Sequence, residues 1–344
     1  MRIGLSYDLK DAVPLEPASP EDALEEYDSL ETVELISKAI ESGGHVVTKL
    51  GGGRDFLINI MQENVDLVFN IAEGLGNYRS REAQVPSVLE MLGIPYSGSD
   101  PQCLTICLDK PLTKKLVAAA GIHTPRWCVI SDPKQLSKAS SWESFPFPVV
   151  IKPACEGSSK GIRNGSLVSS PSEVAEVISR LLLYYQQPLM VEEFISGDEV
   201  TVGIVGNSPS RVLGMMRVLP RKKVEHFVYS LEVKRDWQNL VDYECPVRLE
   251  PEIMEKIIES SLKAFEVLGC RDFARLDFRI SSRGEPYFIE INPLPGLGTH
   301  SDLVIMALKL GWRYEALIGT ILDAALRRYP QFILSEALLH YANG

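Results

Sequence analysis

Arg275-Leu276-Asp277-Phe278-Arg279-Ile280 and, after a few turn residues, Phe288-Ile289-Glu290-Ile291-Asn292 decide how this chain of 344 residues is read. Successive side chains of a strand face opposite sides. Leu276, Phe278 and Ile280 then share a core face, and Arg275, Asp277 and Arg279 the other. The second stretch divides in the same way, with Ile289 and Ile291 inward and Glu290 and Asn292 outward. Ser282-Arg283-Gly284-Glu285 supplies turn residues, so a hairpin would gather Asp277, Glu290 and Asn292. Oxygen ligands without His or Cys suit Mg²⁺, with Mn²⁺ as an alternative, and phosphates and waters complete such a shell. A solvated sheet face bearing ordinary charges fits the same pattern.

Two further segments carry chemistry. In Val149-Val150-Ile151-Lys152-Pro153-Ala154-Cys155-Glu156-Gly157-Ser158-Ser159-Lys160-Gly161 a buried strand ends in a lysine and a loop of small residues follows. Gly and Ser let backbone N–H groups approach phosphate oxygens. The segment lacks the GxxxxGK[ST] pattern of a Walker A loop, and alone it reads equally as a turn. Met190 to Val202 reads as strand, Gly-containing turn and strand, with Glu192 and Glu193 before the turn and Asp198 and Glu199 after it. A carboxylate can accept both ribose hydroxyls. A surface hairpin with acidic residues is the plainer alternative.

The first hundred or so residues alternate strand and helix signals, the pattern of an open α/β sheet. Ile3–Tyr7 and Val65–Asn70 read as strands, Tyr27–Ser42 as a helix, and Ile94-Pro95-Tyr96 as the start of a short element. Ligands collect beyond the carboxyl ends of such strands, which draws attention to Ile71–Glu82. Lys110–Ala120 is helical. Another helix starts at Ser170 as N-cap, with Pro171 and Glu173 completing a capping box. Its stripe is Val174, Val177, Ile178, Leu181 and Leu182, and a further helix opens at Pro251.

The net charge is −11, and the only basic run is Arg221-Lys222-Lys223. Nucleic-acid partners, which demand clustered Lys and Arg, are excluded. No apolar run is long enough for a bilayer, and Met1-Arg2-Ile3-Gly4-Leu5 enters a strand without a secretory-type apolar stretch, so the expected location is the cytoplasm. Of the six cysteines only Cys103 and Cys107 are close, and no second pair completes a zinc quartet. Of the five histidines only His300 has a suggestive context.

Taken in order, these segments resemble the ATP-grasp superfamily and, within it, the D-alanine–D-alanine ligase group, over about residues 1 to 330. The specific pieces are Lys152-Pro153 with Glu156–Gly161, Glu192–Glu199, Arg275-Leu276-Asp277 and Glu290–Leu297. The resemblance implies an α/β fold: an N-terminal open parallel domain (1–105), then an ATP-grasp module of two subdomains (106–190 and 191–330) and a tail (331–344). It implies that Lys110 and Lys152 hold ATP phosphates under a loop containing Ser158, Ser159 and Gly161. Glu192, Glu193 and Ile195 would form the adenine hinge, Glu199 the ribose clamp, and Lys234 the γ-phosphate lysine. Asp277, Glu290 and Asn292 would bind two Mg²⁺ ions. Arg275 and the Gly296 N–H would stabilise an oxyanion, and Ser301 would hold the second substrate's carboxylate. Glu25 would take the first substrate's ammonium.

The implied activity is an ATP-dependent carboxylate–amine ligase that forms a peptide bond through an acyl phosphate. Its partners are small carboxylate and amine substrates, and the resemblance also allows a homodimer. The chain departs from the group where those ligases carry His-Gly-x-x-Gly-Glu-Asp-Gly: it has Glu73-Gly74-Leu75-Gly76-Asn77-Tyr78-Arg79-Ser80-Arg81-Glu82, without the histidine. Arg235 replaces a common tyrosine. Glu73, Arg79, Arg81 and Arg235 therefore fall in donor or acceptor pockets, where guanidinium could pair with a more acidic substrate, or could simply form surface ion pairs. Rival readings are a true D-alanine–D-alanine ligase of cell-wall synthesis, an ATP-grasp kinase and a silent nucleotide-binding module.

Overall fold

Ser29 caps the first long helix: its Oγ accepts the Thr32 N–H at 3.2 Å. Helix α1 (Leu30–Ser42) therefore begins three residues after the expected Tyr27. Its stripe of Val33, Ile36, Ala39 and Ile40 is buried. The computed structural model describes residues 1–15, 19–137 and 145–332, so residues 333–344 of the expected tail lie outside the described residues.

Strands β1 (Arg2–Ser6), β2 (Val46–Gly51) and β3 (Leu67–Asn70) form a parallel sheet in the order β2-β1-β3. Helix α2 (Gly53–Gln62) precedes β3, and α3 (Gln84–Leu92), α4 (Pro101–Leu108) and α5 (Lys110–Ala119) follow it. The element expected at Ile94 is no more than an isolated bridge from Tyr96 to Val68.

Strands β4 (Trp127–Ile130), β5 (Val149–Pro153), β6 (Leu167–Val168) and β7 (Leu189–Glu193) build an antiparallel sheet in the order β4-β7-β5-β6. Helix α6 (Pro171–Tyr185) covers it with the expected stripe. The capping box is absent: the Ser170 hydroxyl pairs with Ser172 at 2.9 Å, and Glu173 reaches back to the Ser169 N–H at 3.3 Å. Polar neighbours thus outcompete the helix's own N–H groups for these side chains.

The chain leaves β7 at Phe194 and enters β8 (Gly197–Val205) in a third sheet, so Met190–Val202 is a crossing between sheets and not a hairpin. That sheet is antiparallel in the order β10-β9-β8-β11-β12, with β9 (Arg211–Pro220), β10 (Val241–Glu244), β11 (Phe273–Ser281) and β12 (Pro286–Asn292). Short helices α7 (Leu231–Arg235) and α8 (Trp237–Leu240) lie between β9 and β10, and α9 (Pro251–Val267) packs under β11 and β12. Phe278 and Phe288 meet edge to face beneath the sheet at 5.9 Å; full burial of one such ring contributes about 1.5–3 kcal/mol.

The last helices, α10 (Asp302–Lys309) and α11 (Tyr314–Leu326), turn back to the first sheet. Leu303, Ile318 and Ile321 share one core with Ile3, Leu5 and Phe69. This closure ties the parallel sheet to the five-stranded one, whose Val205 and Phe273 join the same core.

Candidate active site

On β11 and β12, Asp277 stands opposite Glu290 and Arg275 opposite Asn292. The register then slips: Phe278 pairs with Phe288, leaving Ile289 without a partner. This bulge corrects the expected alternation. Phe288 and Ile291 enter the core, while Ile289 turns to the cavity that Glu290 lines. Bulges re-aim side chains in this way beside active sites.

Charges converge on the pair. Arg275 lies 2.9 Å from Asp277 and 3.7 Å from Glu290. Lys110, from the first turn of α5, reaches Glu290 at 3.1 Å and donates to the Glu156 carbonyl at 2.6 Å. Thr201 on β8 donates to Asp277 at 2.8 Å. Burial works against an ionised Glu290, yet Lys110, Lys152, Arg275 and Lys234 together hold its carboxyl well below the usual range. Burial and the nearby Glu290 raise that of Asp277.

A partly open cavity lies beside this pair, lined by Lys152, Glu192, Glu193 and Phe194 and by Glu199, Lys234 and Asp277. Ser159 also lines it. Lys152 donates to Glu192 at 2.7 Å, and Lys114 reaches the other oxygen of Glu192 at 2.5 Å. Burial opposes ionisation of Glu192, but Lys114 and Lys152 lower its pKa; burial brings Lys114 down to about 8. Glu199 accepts from Arg279 at 3.0 Å. Ile195 lies behind the wall, its carbonyl taken by Arg279 Nε at 2.5 Å.

A second cavity adjoins the first, sharing Tyr229 and Lys234. It collects Ser158, Arg275, Asn292, Gly296 and Ser301 with Glu25, Glu73 and Arg235. Ser158 and Ser159 hold left-handed backbone, φ 48° and 60°; such strain in non-glycine residues persists only where the surroundings impose it. Gly161 ends the loop at φ 76°, where a Cβ would come within 2.4 Å of Pro153, and its N–H donates to Asp22 at 2.9 Å.

Two expected substrate residues lie elsewhere. Arg81 is buried and fully occupied: it bonds to Glu26 at 3.0 and 2.8 Å, to Glu156 at 3.1 Å and to the Cys155 carbonyl at 3.0 Å. Lys160 completes the cluster, 3.1 Å from Glu26 and 2.6 Å from Glu156. The loop is thereby bolted to the N-terminal layer. Arg79 is exposed, 4.0 Å from Asp109, and lines a separate groove with Tyr78 and Lys115. Arg235 does reach the second cavity, but it is bonded there to Glu25 at 2.6 Å and Glu21 at 2.9 Å.

Sequence reasoning missed Lys114 and Asp302. Lys114 follows Lys110 by one helical turn, and that i, i+4 spacing was the available signal. Asp302 reads as a first-turn acid after a serine cap, a common helix start. Cys270 was missed as well: its Sγ lies 3.6 Å from that of Cys103, which is 3.9 Å from that of Cys107, and all three thiols are free and buried. No helix among the described residues is long and apolar enough to cross a membrane.

Residues 116–323 match the family described as the D-ala D-ala ligase C-terminus. A D-alanine–D-alanine ligase of Carboxydothermus hydrogenoformans is 35% identical over 303 residues, covering 87% of this chain and 93% of that one. Protein y4sG of Sinorhizobium fredii is 33% identical over 305 residues, covering 86% and 87%. Among solved structures, the D-alanine–D-alanine ligase of Bacillus anthracis complexed with ATP superposes with a TM-score of 0.71 at 23% identity, over 95% of this chain and 98% of that one. The family match across residues 116–323 and the extended identity to a curated relative place this chain in the D-alanine–D-alanine ligase family of ATP-grasp proteins, ATP-dependent enzymes that form C–N bonds between small carboxylate and amine substrates.

Proposed function

We propose that this protein activates the carboxylate of an amino acid with Mg-ATP and joins it to the amine of a second amino acid in the cytoplasm. The observation that carries this reading is Asp277 facing Glu290 on adjacent strands, beside Lys110 and Arg275 and at the mouth of a lysine-bearing cavity. Asp277, Glu290 and Asn292 offer oxygen donors alone, a set that fits magnesium, or manganese, better than a softer metal. Bound with the nucleotide, the metal supplies neutralising charge for phosphoryl transfer.

The chain's own groups do the rest. Lys110, Lys152 and Lys234 surround the phosphates with positive charge, and the loop of Ser158, Ser159 and Gly161 excludes water above them. Glu192 and Glu193 flank the adenine, and Glu199 takes the ribose. The carboxylate becomes an acyl phosphate, and attack by the amine releases phosphate. Arg275 and the Gly296 N–H stabilise the oxyanion formed on the way. Glu25 holds the first substrate's ammonium and Ser301 the second substrate's carboxylate. The second cavity's mixture of Glu25, Asp28 and Glu73 with Lys10, Arg235 and Arg275 suits zwitterionic amino acids.

The test is a phosphate-release screen of amino acids in pairs, with mass spectrometry of the product. An amide product formed with stoichiometric ADP supports the reading. A stable phospho-compound without an amide, or no ATP consumption with any pair, contradicts it.

A further inference from the structure

Asp302 opens α10 directly after Ser301, and its side chain points into the second cavity although only 7% of the residue is exposed. Oδ2 lies 3.6 Å from Nη1 of Arg275. Oδ1 accepts from the Tyr229 hydroxyl at 3.2 Å, and that hydroxyl lies 2.5 Å from Tyr243 Oη. Among the described residues, Arg275 is the one cation within ion-pair reach of Asp302, and it is shared with Asp277 at 2.9 Å and Glu290 at 3.7 Å.

Three carboxylates therefore draw on one guanidinium. Buried carboxylates are stable only when their charge is matched. Glu290 has Lys110 at 3.1 Å, and the charge of Lys234 acts on both Asp277 and Glu290. Asp302 lies on the other side, in the cavity with Gly296 and Ser301, where its one ion pair among the described residues is with Arg275; Lys234, which lines the same cavity, sits over the Tyr229 ring at 5.0 Å. Other carboxylates of that cavity are differently placed. Glu25 is assigned to the first substrate and pairs with Arg235 at 2.6 Å, Glu26 is held by Arg81 and Lys160, and Asp28 and Glu73 belong to the N-terminal layer and form no ion pair with Arg275 among the described residues.

We propose that Asp302 receives the ammonium group of the amine substrate and accepts the proton that frees it to attack. The inference rests on the reading of the site as a carboxylate-activating ligase. An amino group is protonated at neutral pH and must lose two protons on its way to the amide. The first passes to Asp302 and on to solvent, leaving a lone pair that forms the C–N bond. The C–O bond to phosphate then breaks, the phosphate departs with that electron pair, and the second proton leaves with it. Tyr229, bonded to the same carboxylate, fixes its orientation.

Hydroxylamine separates the two functions. It is uncharged at neutral pH and traps an acyl phosphate as a hydroxamate without needing a base. Full-length protein is supplied with ATP, a panel of amino acids as donors, and either hydroxylamine or an amino acid as acceptor. For Asp302→Asn the ratio of dipeptide to hydroxamate is expected to fall on the order of 100-fold, the scale of general-base catalysis. Asp302→Glu should recover part of it, and Asp302→Ser carries the same expectation as Asp302→Asn should the latter not fold. An unchanged ratio in the Asn and Ser variants would overturn the assignment. A wild-type protein that forms no hydroxamate with any donor would instead overturn the ligase reading beneath it.

Discussion

Arg81 grips Glu26 with a fork: Nε and Nη2 donate to the two carboxylate oxygens at 3.0 and 2.8 Å. Both partners are buried, and the same guanidinium reaches Glu156 at the start of the loop of residues 157–161. Removing one member of a buried ion cluster leaves the others uncompensated and costs about 3–5 kcal/mol. Arg81→Ala should lose roughly that much stability in chemical denaturation. Arg81→Lys should recover only part, because a single ammonium nitrogen lacks the planar fork that grips both Glu26 oxygens and cannot also span to Glu156 and the Cys155 carbonyl. A loss below about 1 kcal/mol for Arg81→Ala would mean that the cluster does not hold the loop.

Arg235 presents the opposite case. Its side chain is 39% exposed, and its partner Glu21 is 74% exposed. Exposed pairs are worth about 0.2–1 kcal/mol, so Arg235→Ala should leave stability almost unchanged. The pair nevertheless links α7 to Glu25 across the second cavity. The substitution should therefore raise the KM for the amino-acid substrate roughly three- to tenfold, matching about 1 kcal/mol. Added salt should narrow the difference between variant and wild type. A changed KM for ATP with the amino-acid KM untouched would contradict the placement.

These two arginines mark what the sequence made legible. Strand parity alone paired Asp277 with Glu290, because alternation survives as far as that rung. It failed at Ile289, since Phe288 and Ile289 are both apolar and nothing in their pattern reveals which one is squeezed out. The role of Arg81 was hidden because its partners lie 55 and 75 residues away in sequence. Asp302 was hidden by an ordinary helix-start signal. Local pattern thus located the strands and the facing of Asp277 and Glu290, while the contacts that fix the loop and face the second cavity depend on how the three sheets close.

Burial lifts the carboxyl of Asp28, beside Asp8, to about 7, and burial likewise lifts that of Glu82 to about 7. Free carboxyls titrate near pH 4. Between about pH 4 and 7 the folded chain therefore keeps protons that the unfolded chain has lost, and stability falls as pH rises through that window. Denaturation followed from about pH 5 to about pH 8 should show the decline, and Asp28→Asn should flatten it. A slope that Asp28→Asn leaves intact would assign the protons elsewhere.

The central claim is that Glu290, paired with Asp277 and reached by Lys110, serves the ATP-activation chemistry. ADP release dependent on an amino-acid carboxylate, compared between wild type and Glu290→Gln with folding monitored by circular dichroism, tests it most directly. The variant should keep its fold and lose at least about 100-fold in turnover. A folded Glu290→Gln protein that releases ADP within about tenfold of wild type would contradict the account.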